Sequence, residues 1–197
     1  ERGLKVWSSE MQDGKTVSQR CRANLSESVL LQYVKSGDRN AVWSMMDLLY
    51  QQILQSSPRV HWEKNILYSF YPNLEKDEKK YGEILLIGYL DMLFRNAFWI
   101  DGEFWWFDQE WNLDNVPAKY PMYRSIVQLY ISHPHIEELI SIREVAQRYD
   151  ILSVWDQMQK LDELFMGVVA DNYNFVSSNQ LESVELDKCV NNIRKLV

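Results

Sequence analysis

Near the middle of the chain, Asp101-Gly102 stands between two short aromatic-rich runs, residues 97–100 and 103–107. Such a dipeptide between strand-like runs is the strongest short-range hairpin signal, because a type I′ turn needs φ > 0 at both central residues. The register then follows: Ile100 opposes Glu103, Phe98 opposes Trp105, and Asn96 opposes Phe107. Asn96 and Asp108 come to lie at the open end, within about one rung of each other. Alternation places Phe98, Trp105 and Phe107 on one face, where packing on helices is expected. Trp99, Phe104 and Trp106 point the other way.

The rest of the chain reads as mainly α. A helix is expected over 26–35, stopped by Gly37, and Asp38 is placed to cap a second helix running to about residue 55. The apolar set of that helix, Val42, Met45, Met46, Leu49 and Ile53, has the three- and four-residue spacing of one buried face. Residues 58–80, with Pro72 and a mixed-charge cluster, read mostly as loop. The apolar run 83–90 fits a buried strand or the end of a helix, and 91–96 interrupts it. Helical periodicity returns over 121–132, 136–148 and 153–172, the last with Val154, Met158, Leu161, Leu164, Phe165 and Val168 on one stripe. A final short helix is expected over 184–196, a short strand over 4–7 and a turn at Asp13-Gly14. The expected fold class is mainly α with a short central β hairpin: one domain over 18–197, preceded by a hinge-like lead-in over 1–17.

Composition removes several function classes. The chain has 7 glycines in 197 residues, and no two lie two apart. It therefore holds no G-x-G-x-x-G and no Walker loop, whose clustered glycines let backbone N–H groups approach phosphate. A net charge of −7 argues against a nucleic-acid partner, because phosphate neutralisation needs a basic face. Cys21 and Cys189 lie far apart in sequence with no C-x-x-C partner; they could pair with each other, but reduced thiols of a cytoplasmic protein are the expectation. No apolar run is long enough to span a bilayer, and the N-terminus has no signal-peptide core. The first residue is Glu1 rather than Met, so a piece of a longer chain is expected.

One constellation carries chemistry. Asp91, on the segment feeding the first hairpin strand, should converge with Asn96 and Asp108 at the open end. Oxygen ligands such as Asn96 and Asp108 suit a hard cation like Mg²⁺, which keeps water and substrate phosphates in its remaining positions. Asp91 could orient or deprotonate a hydroxyl.

The spacing D-x-x-x-x-N, followed about a dozen residues later by an aspartate, resembles the catalytic loop and metal aspartate of kinase-like phosphotransferases. The strings here are Asp91-Met-Leu-Phe-Arg-Asn96 and Phe107-Asp108-Gln109-Glu110-Trp111. With Pro117, Pro121, Tyr123 and Arg124 beyond them, they are similar to the kinase-like C-lobe of the aminoglycoside and small-molecule phosphotransferase type, as found in bacterial surface-polysaccharide proteins. Residues 11–17 (MQDGKTV) are similar to the hinge between the two lobes of such proteins. The resemblance implies Asp91 as catalytic base and Asn96 and Asp108 as metal ligands. It implies Mg²⁺ and ATP as cofactors, bound only with an N-lobe outside this chain, and a sugar or glycan hydroxyl as acceptor. It also implies an attached methyltransferase or glycosyltransferase and a place in O-antigen-type glycan assembly. The sequence departs from the pattern where Tyr89-Leu90 stands in place of the usual His-Arg, and it has no strand with a phosphate-pairing lysine.

Plainer readings stand beside this one. Asp91 and Asn96 also suit a capped turn between apolar runs, and Glu110 and Asp114 suit surface acids on a loop. The aromatic cluster suits core packing or, less simply, a platform that stacks on sugar rings. His133-Pro134-His135 lacks a third ligand for zinc, and no serine has a G-x-S-x-G setting. The alternative function is a non-catalytic helical module that binds a partner protein or glycan through the aromatic hairpin.

Overall fold

The computed structural model describes residues 24–178. The lead-in 1–17, the features expected at 4–7, 13–14 and 184–196, and both cysteines lie outside the described residues.

The first helix, α1 (Ser26–Ser36), ends where expected: Gly37 takes φ 71° and returns its N–H to the Val34 carbonyl. Only a residue without Cβ adopts that left-handed conformation at little cost, so the helix stops and the chain reverses. Asp38 then caps α2 (Arg39–Gln55), its carboxylate accepting from Ala41 N–H at 3.0 Å. The buried residues of α2 are Val42, Met45, Met46, Leu49 and Ile53, the set given by their spacing. Two one-turn helices, α3 (Leu67–Phe70) and α4 (Glu78–Tyr81), punctuate the irregular stretch that follows.

Six strands form two three-stranded antiparallel sheets among the described residues. In the first, β1 (Asn24–Leu25) pairs with β4 (Ala97–Ile100), which pairs with β5 (Glu103–Trp106). Asp101 at φ 52° and Gly102 at φ 79° close the hairpin, and Ile100 faces Glu103 in the expected register. In the second, β3 (Ile84–Tyr89) lies between β2 (Arg59–Val60) and β6 (Asn112–Pro117). Gly88 of β3 leaves room for the Val116 side chain of β6: a Cβ there would lie 2.1 Å from Val116 Cγ2. This sheet feeds the chain into the Asp91 turn and receives it again after Asp108.

The remaining helices are α5 (Lys119–Ser132), α6 (Ile142–Arg148) and α7 (Trp155–Ser178). Helix α5 is buried along most of its length and packs against α2, α6 and α7. None of the described helices is long and apolar enough to cross a membrane.

Three expectations need correction. The chain is a mixed α/β structure rather than a helical body with a single hairpin, because residues 112–117 form a full strand. Asn112, Asp114, Asn115 and Pro117 give that strand the composition of a loop, and its pairing with β3 overrides local preference. Asp114 is accordingly an exposed strand residue opposite Ile87, not a loop acid. The helix expected over 136–148 is broken into a 3-10 segment, Pro134–Glu138, and α6. Ser141 and Glu144 form a reciprocal capping box that starts α6 afresh. Finally, the hairpin faces are reversed. Phe104 and Trp106 are buried, with Trp106 Nε1 donating to Gln52 Oε1 of α2 at 2.7 Å, whereas Phe98, Trp105 and Phe107 are half-buried. Both faces are aromatic, so alternation supplied the two sets without the contrast that tells inside from outside.

Candidate functional site

The site is built on the connection between the two sheets. Strand β3 ends at Tyr89, and Leu90 N–H reaches across to the Trp111 carbonyl at 2.8 Å, just ahead of β6. Between these clamped points the chain turns at Asp91, forms a single 3-10 turn over Phe94–Asn96, and enters the hairpin. It leaves the hairpin where Phe107 N–H donates to the Asn96 carbonyl at 3.0 Å, the rung expected from the Asp-Gly register.

The Asp91 carbonyl organises this turn. It accepts from Leu93 N–H at 2.7 Å, from Asn96 Nδ2 at 3.1 Å and from Gln109 Nε2 at 2.7 Å. Asn96 is buried and directs its amide nitrogen inward to this bond, while its Oδ1 takes no hydrogen bond among the described residues. The Asp91 carboxylate is 9% exposed, and its Oδ2 accepts from Trp111 N–H at 3.1 Å. Burial pushes the Asp91 carboxyl up to about 6; the Trp111 N–H, Arg124 and Arg95 oppose the rise, and the Asp108 charge adds to it. Asp108 is exposed at φ 55°, a conformation that aspartate tolerates better than most side chains.

The structure therefore brings Asp91 and Asn96 into direct contact and sets Asp108 close enough for its charge to act on Asp91. The Asn96 amide does cap a turn, as the plainer reading expected, and that cap is what leaves its oxygen unengaged. Among the described residues no three His, Cys, Asp or Glu side chains gather as a metal-holding group. The candidate ligand pair is instead one amide and one carboxylate. An open cavity of about 560 Å³ beside α1, lined by Leu31, Val34, Lys35, His135, Glu138 and Leu139, shares no residue with this site.

Sequence reasoning missed three residues that hold the site. Gln109 Nε2 also donates to the Phe107 carbonyl at 3.0 Å, and its Oε1 is enclosed without a partner. An unpaired buried amide oxygen costs roughly 1–3 kcal/mol. Trp111 supplies the N–H on Asp91 and packs edge-on against Phe165 of α7 at 5.6 Å. Arg124 of α5 is buried, donates from Nε to the Leu90 carbonyl at 3.3 Å, pairs with Asp162 and lies 4.9 Å over the Phe165 ring. Only Arg124 left a sequence signal, a lone cation in an otherwise apolar helical stretch.

Comparison with protein-family models, with curated proteins and with solved structures finds no match to this chain.

Proposed function

We propose that this chain is the C-lobe of a kinase-like phosphotransferase acting in the cytoplasm on a sugar hydroxyl in bacterial surface-glycan assembly. The observation that carries the reading is the Asp91–Asn96 turn. Asn96 fixes the Asp91 backbone with Nδ2 and leaves Oδ1 unengaged, and the hairpin returns Asp108 to the same end. The order of parts supports it: a strand into the turn, a hairpin, the second aspartate, then a strand that pairs with the first.

In this reading the group held is a divalent cation. Asn96 Oδ1 and the exposed Asp108 carboxylate are the oxygen donors that would hold Mg²⁺, and oxygen donors are what Mg²⁺ selects. When bound with ATP, Mg²⁺ neutralises charge on the phosphates. Asp91 has a different task. Its carboxyl titrates near 6, so it is ionised at neutral pH while remaining basic enough to accept a proton. It would orient the acceptor hydroxyl and take its proton as that oxygen bonds to the γ-phosphorus and the bond from that phosphorus to ADP breaks, ADP leaving. The glycine-rich phosphate cradle comes from an N-lobe outside these 197 residues, consistent with the scarcity of glycine within them.

The test uses the full-length protein. Mg²⁺-ATP should raise its Tm by mass action. Asp108→Ala should abolish both that shift and Mg²⁺-dependent transfer, and unchanged turnover would overturn the assignment. A second reading, a non-catalytic module that binds a protein or glycan, draws on the aromatic composition of the hairpin, which carries Phe98, Trp99, Phe104, Trp105, Trp106 and Phe107. It is favoured if Mg²⁺-ATP leaves the Tm unmoved.

A further inference from the structure

We propose that Gln109 is the positioning residue of this site, tying the segment that carries Asp91 and Asn96 to the segment that carries Asp108. The inference rests on the phosphotransferase reading and deepens it. Gln109 Nε2 donates to the Asp91 carbonyl at 2.7 Å and to the Phe107 carbonyl at 3.0 Å. The first of these oxygens is also the one held by Asn96 Nδ2, so two side-chain amides from opposite sides of the hairpin meet on one atom. The second bond closes a small ring around Asp108, from the carbonyl before it to the side chain after it. Asp108 stands in the left-handed region, and that ring holds it there.

The orientation of the amide is informative. Only Nε2 can donate to two carbonyls, so the group cannot turn over without losing both bonds. Its Oε1 is left enclosed and unpaired. A side chain that merely filled space would be apolar or would satisfy both ends. Here the amide joins two carbonyls while its own oxygen makes no bond, and an unsatisfied group of this kind calls for a structural reason. The task follows from the ligand chemistry. Mg²⁺ demands near-octahedral geometry, so a cation shared by Asn96 and Asp108 requires their separation to be fixed. The hairpin rung alone leaves Asp108 a residue beyond the last pair, and Gln109 removes that freedom.

Mn²⁺, added to the full-length protein and followed by paramagnetic broadening of assigned NMR signals, reads this without an activity assay. In the native protein, broadening should centre on Asn96 and Asp108 and saturate with a definite Kd. Gln109→Met keeps the length but not the amide and should weaken that Kd at least tenfold. Gln109→Asn, one methylene shorter, is a milder break that should also weaken it. Gln52→Leu removes the bond to Trp106 on the far side of the hairpin, so it should lower Tm yet leave the Kd unchanged. A native Kd in both Gln109 variants, or a Gln52→Leu loss as large as theirs, overturns the positioning role while leaving the phosphotransferase reading intact. Absence of localised broadening in the native protein overturns both.

Discussion

The central hairpin has two ends, and they are held by different physics. At the closed end the chain reverses through Asp101 and Gly102, both exposed and both at positive φ. Everything needed there is local: two adjacent residues that tolerate the left-handed region, flanked by residues that favour strands. At the open end, Asp91, Asn96 and Asp108 are held by groups brought from elsewhere. Trp111 comes from the lip of the second sheet, Arg124 from α5, and Phe165 and Asp162 from α7. The closed end would form in a short peptide as readily as its turn chemistry allows. The open end requires the whole fold, which is what a site with a costly arrangement of buried polar groups demands.

The largest effect separating the two ends is expected from Arg124→Met. The guanidinium anchors the Leu90 carbonyl and pairs with Asp162, and both residues are largely withdrawn from water. Removing one partner of such a pair leaves the other charge uncompensated, a loss of about 3 kcal/mol or more. Urea unfolding measures it. Neutralising the orphaned acid as well, in Arg124→Met with Asp162→Asn, should recover part of the loss. Strict additivity of the two changes would show that the pair is not coupled and that the open end does not depend on α7 in this way.

The same contrast explains what the sequence made legible. The Asp-Gly turn, the Gly37 stop, the Asp38 cap and the buried face of α2 are signals within a few residues, and each appears where expected. The return of Asp108 to the end that carries Asn96 was legible because it follows from hairpin register, and Asp91 was legible from its place on the segment that feeds the first strand. Strand β6 was not, because Asn115 stands at φ 55° and turns its carbonyl out of the ladder to Ile66 N–H, an arrangement that its composition hides. Gln109 and Trp111 were illegible as site residues, and Arg124 left only its isolated charge. Their partners lie 18, 20 and 34 positions away along the chain, and no periodicity encodes such pairings.

A second, smaller effect has the opposite sign. Asp91 is a carboxyl whose burial raises it from the ordinary value to about 6. Well below its ordinary value of 3.8 it is protonated in both the folded and unfolded chain and costs nothing. Between pH 4 and 6 the unfolded chain releases the proton while the folded chain keeps it, so stability falls as pH rises; above pH 6 the full cost remains. Asp91→Asn should therefore stabilise the protein by up to about 3 kcal/mol at pH 7 and by well under 1 kcal/mol at pH 4. Urea midpoints at a series of pH values from 4 to 7 decide it. A gain that is the same at every pH would mean that Asp91 titrates at its ordinary value and that the open end carries no electrostatic strain.

The smallest effect belongs to the closed end. Gly102 sits at φ 79°, and a Cβ added there would meet nothing within 4 Å, so a substitution brings strain but no collision. Gly102→Ala should cost about 1 kcal/mol, the penalty for placing an L-residue in the left-handed region. It should leave the Asn96–Asp91 bond and any Mn²⁺ affinity untouched, because neither depends on how the turn is closed once the strands are paired. Amide hydrogen exchange separates the two ends directly. Protection should fall at Ile100 and Glu103, the pair next to the turn, and stay constant at Leu93, Asn96 and Phe107. Equal loss of protection at both ends would show that the hairpin frays as one unit. In that case the long-range clamps would add nothing beyond the pairing of β4 with β5.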